Sequence, residues 1–346
     1  MSEPRWKDLP VPRPAEVEPE ATSRVLRVPS ELAGTRLDVF LRLSLRNTSR
    51  TRAKRIAKAA AFNPEGQRLR PNQRLKAEDH VVLWRLPVDE ADDSLELPVV
   101  FRDQHLLVIN KPPDITVHPT ASHYNHTVIK LLEQRHPDQF FSLIHRLDRD
   151  TSGVLLLGLS ATADRAFKML LEGTIEVPEG KDASVLKTYR AITWGIPKEG
   201  DVELPLEADP TNSLRVKMRV AEPGHGLEAR TRMRVLDSCG KYSLVECQLF
   251  TGRQHQIRVH LAALGTPVVG DKLYGPDERM HARAADGVLT DEDRERLEHP
   301  RQALHAYRYQ LPHAIHWTPL DLIAPLPADL VEFWQRVADR EPPTDG

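Results

Sequence analysis

The chain has 346 residues, enough for two ordinary domains and for a core that needs no covalent staples. Its 48 basic and 50 acidic side chains leave a net charge of −2, so a nucleic-acid partner would have to be met by a local patch and not by bulk charge. Two cysteines, Cys239 and Cys247, cannot build a disulfide framework or a zinc ribbon, no apolar run reaches membrane-spanning length, and the first twenty residues lack an apolar signal core. These features exclude secreted and membrane classes and fit the reducing cytoplasm.

Residues 1–23 hold five prolines, scattered acids and little periodic apolarity, which predicts a solvated leader. A short strand-like run then leads into helical spacing, with Leu37, Phe40, Leu41 and Leu45 on one stripe. A second helix reads over 49–60, with Ser49 as N-cap and Ala53, Ile56, Ala57 and Ala60 facing inward. Short strands are expected at 68–70 and 81–85. From Leu41 to Lys76 eleven Lys or Arg residues stand against Glu65 alone, a local excess of +10. Solvated faces normally mix signs, so this excess reads as a phosphate-contacting surface for RNA or DNA. Arg50, Arg52, Arg55 and Lys58 on the second helix are its foremost candidates. The small domain is bounded at 24–87, and the acidic stretch 88–98 is taken as a linker.

From residue 99 an apolar hairpin flanks Arg102–His105 and ends at Pro112-Pro113, and a helix follows over 126–137. Strand-like runs recur at 154–160, 188–196, 230–236 and 241–250. Few of their connections leave room for a crossover helix, so the fold class is α+β, with a mixed, mainly antiparallel sheet over 99–335 and a tail at 336–346. The stretch 277–298, with eight acids and four arginines, reads as a surface helix and loop. No Gly-x-Gly-x-x-Gly or Walker loop supports a nucleotide cofactor. No coiled-coil seam or extended apolar face is visible, and a monomer is expected.

Chemistry-bearing residues concentrate in three segments. The first is IHRLDRDTSGVLLLG, residues 144–158, a loop dense in polar groups ahead of a buried strand. Taken alone, Asp148 and Asp150 could simply bond loop amides. The second is LFTGRQHQIRVHLAALG, residues 249–265, with a capping box at Thr251 and Gln254, a buried stripe of Ile257, Leu261 and Leu264, and Gly265 at the end. Arg258 lies beside that stripe, placed to reach inward. In the third, LKTYRAITWG, Lys187 and Tyr189 share one strand face. Ser152 lacks a nucleophile elbow, and His145, His255 and His260 lack metal spacing. Lys111 reads as structural and Asp271 as a turn residue.

HRLDRDTSG (145–153), KTYRA (187–191), TGRQHQIRVH (251–260), INKPPDITVHPT (109–120) and VVGDKLYG (268–275) resemble the RluA family of pseudouridine synthases, over roughly residues 24–330. The basic amino-terminal unit looks like the small RNA-binding domain of the ribosomal protein S-four type. The resemblance implies a pseudouridine synthase fold and isomerisation of specific uridines in structured RNA, with large-subunit ribosomal RNA preferred and tRNA open. The reaction cleaves a base-to-sugar bond, turns the base and rejoins it through a ring carbon, so no cofactor or metal is required.

By the same resemblance Asp148 is the catalytic carboxylate, attacking the anomeric carbon or taking a sugar proton. Arg258 is the partner that keeps it ionised against desolvation, and Tyr189 stacks on the base and relays a proton. His145, Arg146, Thr151, Arg253, His255 and Gln256 fall on the substrate side. Arg146 either fills the space left by the extruded base or contacts phosphate. A rival reading is an RNA glycosidase, since Asp148 and Asp150 on an extended segment would lie about 6.6–6.8 Å apart along the chain, within the roughly 6.5–9.5 Å of inverting enzymes. A ribosome-associated RNA chaperone is the rival from the binding class.

Overall fold

The computed structural model describes residues 11–19, 21–45, 48–85, 95–118, 127–212 and 216–339. The amino-terminal unit begins with β1 (Thr22–Arg27), α1 (Leu37–Ser44), α2 (Arg50–Ala60), β2 (Ala61–Phe62) and β3 (His80–Arg85), its strands ordered β1-β3-β2 and antiparallel. Leu37, Phe40 and Leu41 of α1 meet Ala53 and Ala57 of α2 in one buried cluster, closed by Val81 and Leu83 of β3. The small alanines let α2 lie close, as the sequence stripe requires. Ser49 caps α2 by accepting from Arg52 N at 3.1 Å.

Three expectations for this region need correction. Residues 68–70 form no strand: Arg68 makes a single bridge to Phe62, and Leu69 is buried in the cluster instead. The described part of the leader is not simply solvated, because Val11 and Val17 pack on Val25, Phe62 and Val82, and Glu16 pairs with Arg68. Two apolar side chains at a six-residue interval carry too little periodicity to reveal that packing. Of the expected linker, residues 88–94 lie outside the described residues, while Leu95 and Leu97 rest against the larger core.

That larger core belongs to a ten-stranded sheet. Its elements are β4 (Val99–Arg102), β5 (Leu106–Lys111), α3 (Val128–Arg135), β6 (Ser142–Leu143), β7 (Ser152–Gly158), α4 (Ala161–Glu172), β8 (Leu186–Trp194), β9 (Gly200–Glu203), β12 (Arg230–Cys239) and β13 (Tyr242–Leu249), with β10 (Leu206–Ala208) and β11 (Met218–Val220) forming a separate ribbon. There follow α5 (Gln256–Ala263), α6 (Arg279–Ala285), α7 (Asp291–Leu297), β14 (Leu304–Pro312), β15 (Pro319–Ile323) and α8 (Ala328–Ala338). The strand order is β4-β5-β7-β14-β8-β13-β12-β9, with β15 on β14 and β6 on β7. Among the described strands only the β7–β14 pair is parallel, which fits the expected antiparallel α+β sheet.

Sequence periodicity indicates no strand beyond Phe250, yet β14 sits at the centre of this sheet. It is lined on both sides by neighbours, so its buried residues do not alternate. The tail also begins later than expected, since Val337 on α8 is buried and the described chain runs to residue 339. At the β7–β14 seam, Gly153 has φ +113° and a Cβ there would fall 2.2 Å from Ala306 O. Only glycine lets the two backbones approach so closely. The seam sets the loop before β7, the start of β14 and the face of β8 against one another.

Candidate active site

Asp148 lies in the turn that leads into β7, where Thr151 N bonds its carbonyl at 3.1 Å. Facing it is α5, which begins at His255 with φ +58°, a left-handed backbone. The expected capping box at Thr251 and Gln254 does not form. Gln256 does the anchoring: its Oε1 accepts from Arg253 N and Thr251 Oγ1, and its Nε2 donates to Arg230 O and Thr231 Oγ1. Gln256 is therefore buried scaffold and not a substrate contact, a correction to the reading of TGRQHQ.

Anchored this way, α5 turns Arg258 inward until it is 6% exposed. Its Nη1 donates to Asp148 Oδ2 at 2.8 Å. The opposite edge is held by Asp271, with Nε to Oδ2 at 2.7 Å and Nη2 to Oδ1 at 2.9 Å. Asp271 is 1% exposed and also accepts from Leu273 N and Tyr274 N. It is a turn residue, as its sequence suggests, and it is also the second carboxylate on Arg258. Sequence reasoning missed that role, for which the buried-side placement of Arg258 offered the only signal. Burial pulls the Arg258 pKa down, but Asp271 and Asp148 push it up, and the carboxylates win.

Asp148 keeps 30% of its side-chain surface accessible. Burial alone would push its carboxyl up; the His255 ring, the Arg258 charge and hydrogen bonds from Arg258 and Gln302 outweigh this and hold it at about 2. The Tyr274 hydroxyl accepts from Met218 N and shares a 2.8 Å hydrogen bond with His255 Nδ1. The other ring nitrogen, Nε2, lies 3.8 Å from Asp148 Oδ1. Burial pushes His255 itself down to about 4, so at neutral pH the ring is uncharged and Arg258 carries the attraction. Oδ2 is occupied by Arg258 and, at 3.4 Å, by Gln302 Nε2, while Oδ1 has only the more distant His255 ring opposite it.

Tyr189 on β8 is 7% exposed and its hydroxyl shares a 2.6 Å hydrogen bond with that of Tyr309 on β14. Burial pushes the Tyr189 phenol up to about 12, with the Asp148 charge adding to it, so the group stays protonated at neutral pH. Tyr309 was not read from the sequence, because the strand that carries it was not. Gln302, just before β14, went unseen for the same reason.

Two expected RNA contacts prove to be internal. His145 Nε2 accepts from Leu156 N at 3.2 Å, its ring lies 5.1 Å from that of Tyr309, and burial followed by the Lys187 charge pushes it down to about 3. Thr151 is buried and accepts from Gln302 Nε2 at 2.7 Å, which aims that amide toward Asp148. Arg146 is exposed, and its guanidinium pairs with none of the described residues. Arg253 is exposed and donates to Glu228 O at 2.9 Å.

The helix candidates lie apart from this cluster. Arg50 and Lys58 face solvent. Arg52 Nη1 donates to Ala285 O at 3.0 Å, Arg55 lies 3.5 Å from Asp286, and Ser49 Oγ donates to Asp286 Oδ2 at 2.6 Å. Half of the supposed RNA-facing set therefore faces the end of α6, within the acidic stretch that sequence marked only as surface. Asp150, the second carboxylate of the glycosidase reading, is paired with Lys272 at 3.3 Å. Lys111 is fully buried and donates to the carbonyls of Pro112, Ile115 and Arg149, a structural role as expected.

Among the described residues, Asp103, His313 and His316 are close enough to share a metal ion. His313 Nδ1, however, accepts from Ile315 N and His316 N, so its proton lies on Nε2, which faces Asp103 Oδ2 at 3.0 Å. A protonated nitrogen is no metal ligand.

Comparison with known proteins decides the family. A family profile described as RNA pseudouridylate synthase matches residues 105–263. An RNA pseudouridine synthase of Chloroflexus aurantiacus is 34% identical over 331 residues, covering 93% of this chain and 96% of the relative. The chain belongs to the RNA pseudouridine synthases. The ribosomal large subunit pseudouridine synthases D of Zymomonas mobilis and Xanthomonas campestris share 33% and 32% identity with this synthase, over 93% and 91% of their lengths. The solved human RNA pseudouridylate synthase domain containing 4 superposes with a TM-score of 0.53 at 26% identity, covering 69% of the synthase and 92% of that chain. The human domain containing 1 gives 0.51 at 26%, over 74% and 99%. The synthase is an isomerase of RNA, and its ten-stranded α+β sheet is the pseudouridine synthase fold.

Proposed function

We infer that the synthase isomerises uridine in large-subunit ribosomal RNA, with Asp148 as its catalytic carboxylate. The observation that carries the site assignment is the Arg258 bridge: a carboxylate held ionised at about 2, one oxygen tied down and the side chain still 30% accessible. Such a group is set up either to attack the anomeric carbon or to remove a sugar proton, and both start from the anion. The uridine must leave the stack, at a cost of a few kcal/mol, before Oδ1 can reach its ribose. Tyr189 supplies a ring beside that carboxylate and a hydroxyl that stays protonated, suited to stacking and to giving a hydrogen bond to the turning base. Arg258 positions the anion and keeps it charged once the base excludes water.

The ribosomal target rests on the names of the Zymomonas mobilis and Xanthomonas campestris relatives. The amino-terminal unit acts as the RNA-binding domain of the S-four type, a reading supported by its +10 segment and by Arg50 and Lys58 standing free in solvent. The working form is a cytoplasmic monomer. Against a glycosidase, Asp150 is engaged by Lys272 at 3.3 Å.

The test is product analysis on large-subunit ribosomal RNA transcripts with the wild type and Asp148→Asn. The wild type forms pseudouridine with no change in RNA mass, and the variant binds RNA but forms none. Release of free uracil would establish a glycosidase, and a substantially active variant would remove Asp148 from the chemistry.

A further inference from the structure

Most cations around Asp148 are satisfied within the protein, Arg258 by two aspartates, Lys272 by Asp150, Arg149 by Asp114 and Lys111 by three carbonyls, while Arg146 stands exposed. Lys187 is different. It is half-buried on β8, two residues before Tyr189 and on the same strand face, opposite Tyr309 of β14 and Leu249 of β13. Among the described residues no carboxylate and no hydrogen-bond acceptor meets its amine. The amine lies over the loop that leads to α5, where a Cβ on Gly252 would be 3.7 Å from Nζ. The next residue in that loop, Arg253, has no carboxylate partner either, and its charge together with burial pushes the Lys187 pKa down. A half-buried cation with no partner, beside a second cation that meets only a backbone carbonyl, is unfavourable in the free protein, and an arriving anion relieves it.

We propose that Lys187 and Arg253 form the seat for an RNA backbone phosphodiester next to the target nucleotide. The proposal rests on the site reading above. The spacing suits it: Lys187 and Tyr189 lie about 6.6–6.8 Å apart along the strand, so one face offers a charge for the backbone and a ring for the base. The ligand is a singly charged phosphodiester, which a lone ammonium and a guanidinium edge satisfy.

The test compares wild type, Lys187→Met and Lys187→Arg in binding of a labelled oligouridylate over a salt series, together with kcat and KM on a ribosomal RNA transcript. Lys187→Met weakens oligouridylate binding about tenfold and lowers the log–log salt slope by about 0.7, the share of one phosphate on a single strand. On the transcript the loss falls on KM more than on kcat, and Lys187→Arg retains the slope. Lys187→Met also melts no lower than the wild type, because it removes an unpaired charge. An unchanged salt slope in Lys187→Met, or a loss confined to kcat, would overturn the phosphate seat. Should the wild type modify no ribosomal transcript, the target assignment fails, while the oligouridylate slope still decides the role of Lys187.

Discussion

Asp271 grips the Nε–Nη2 edge of Arg258 and thereby turns Nη1 toward Asp148. A guanidinium is planar, so fixing one edge with a bidentate carboxylate fixes where its remaining nitrogen points. Asp271 is in turn held by two backbone amides of its own turn, so the orientation of Asp148 is set through a chain that starts two elements away.

Asp271→Asn removes one charge of this buried triad and replaces two acceptor oxygens by one. Breaking a buried pair typically costs about 3–5 kcal/mol. The variant should melt well below the wild type and lose most of its turnover, with RNA affinity kept under conditions where it is folded. Calorimetry and single-turnover pseudouridine formation check both, and a stable, fully active variant would contradict the orienting role.

The titrating groups of the site predict a specific pH dependence. Asp148 is held at about 2, below its ordinary unfolded value, so its contribution to stability is present above pH ~4 and is lost as the pH falls toward 2, a total of roughly 2–3 kcal/mol. His145, His255 and His305 are pushed by burial to about 3, 4 and 4. Each is buried uncharged, so the unfolded chain takes up their protons first and stability falls as the pH drops from about 6.5 toward 4. Chemical denaturation at pH 7.5, 6 and 5 should show this decline. The single-turnover rate should have no limb from Asp148 or Tyr189 between pH 5 and 9, since their values of about 2 and 12 lie outside that window.

Gly153→Ala would set a methyl group 2.2 Å from Ala306 O at a backbone angle that disfavours side chains. The parallel seam between β7 and β14 must open, at a cost of about 3 kcal/mol. Because Asp148 precedes this seam and Gln302 leads into its other strand, activity should fall with stability. A variant that melts like the wild type would show that the seam yields freely.

Asp286→Ala should release Arg55 of α2 from the carboxylate at the end of α6, while the Arg52 bond to Ala285 O stays. Oligonucleotide binding is then expected to tighten, with a steeper salt dependence as one more cation reaches phosphate. Equal slopes in the variant and the wild type would mean that Arg55 does not contact RNA.

Much of the site was legible because it sits in short, contiguous segments. The HRLD loop, the KTY strand and the helix carrying Arg258 each show their polar residues beside an apolar pattern that dictates how they face. Gln302 and Tyr309 were not legible, because β14 is buried on both flanks and its hydrophobicity follows no period that separates strand from helix. The same limit hid the fate of Arg52 and Arg55, whose partners Ala285 and Asp286 are 231 residues or more away in sequence.

Sequence alone determined the antiparallel α+β class and most of the elements before Phe250, and it singled out the groups proposed to act on RNA, since propensity, periodicity and motif are properties of neighbouring residues. Tertiary structure alone decided which of those groups meet. It joined Asp148 to Asp271 through Arg258, turned Gln302 onto the carboxylate, buried Thr151 and Gln256 as scaffold and tied His145 to Leu156 N. The reason is that pairing of charges depends on distances set by strand order and helix anchoring, and a linear chain does not encode those distances locally.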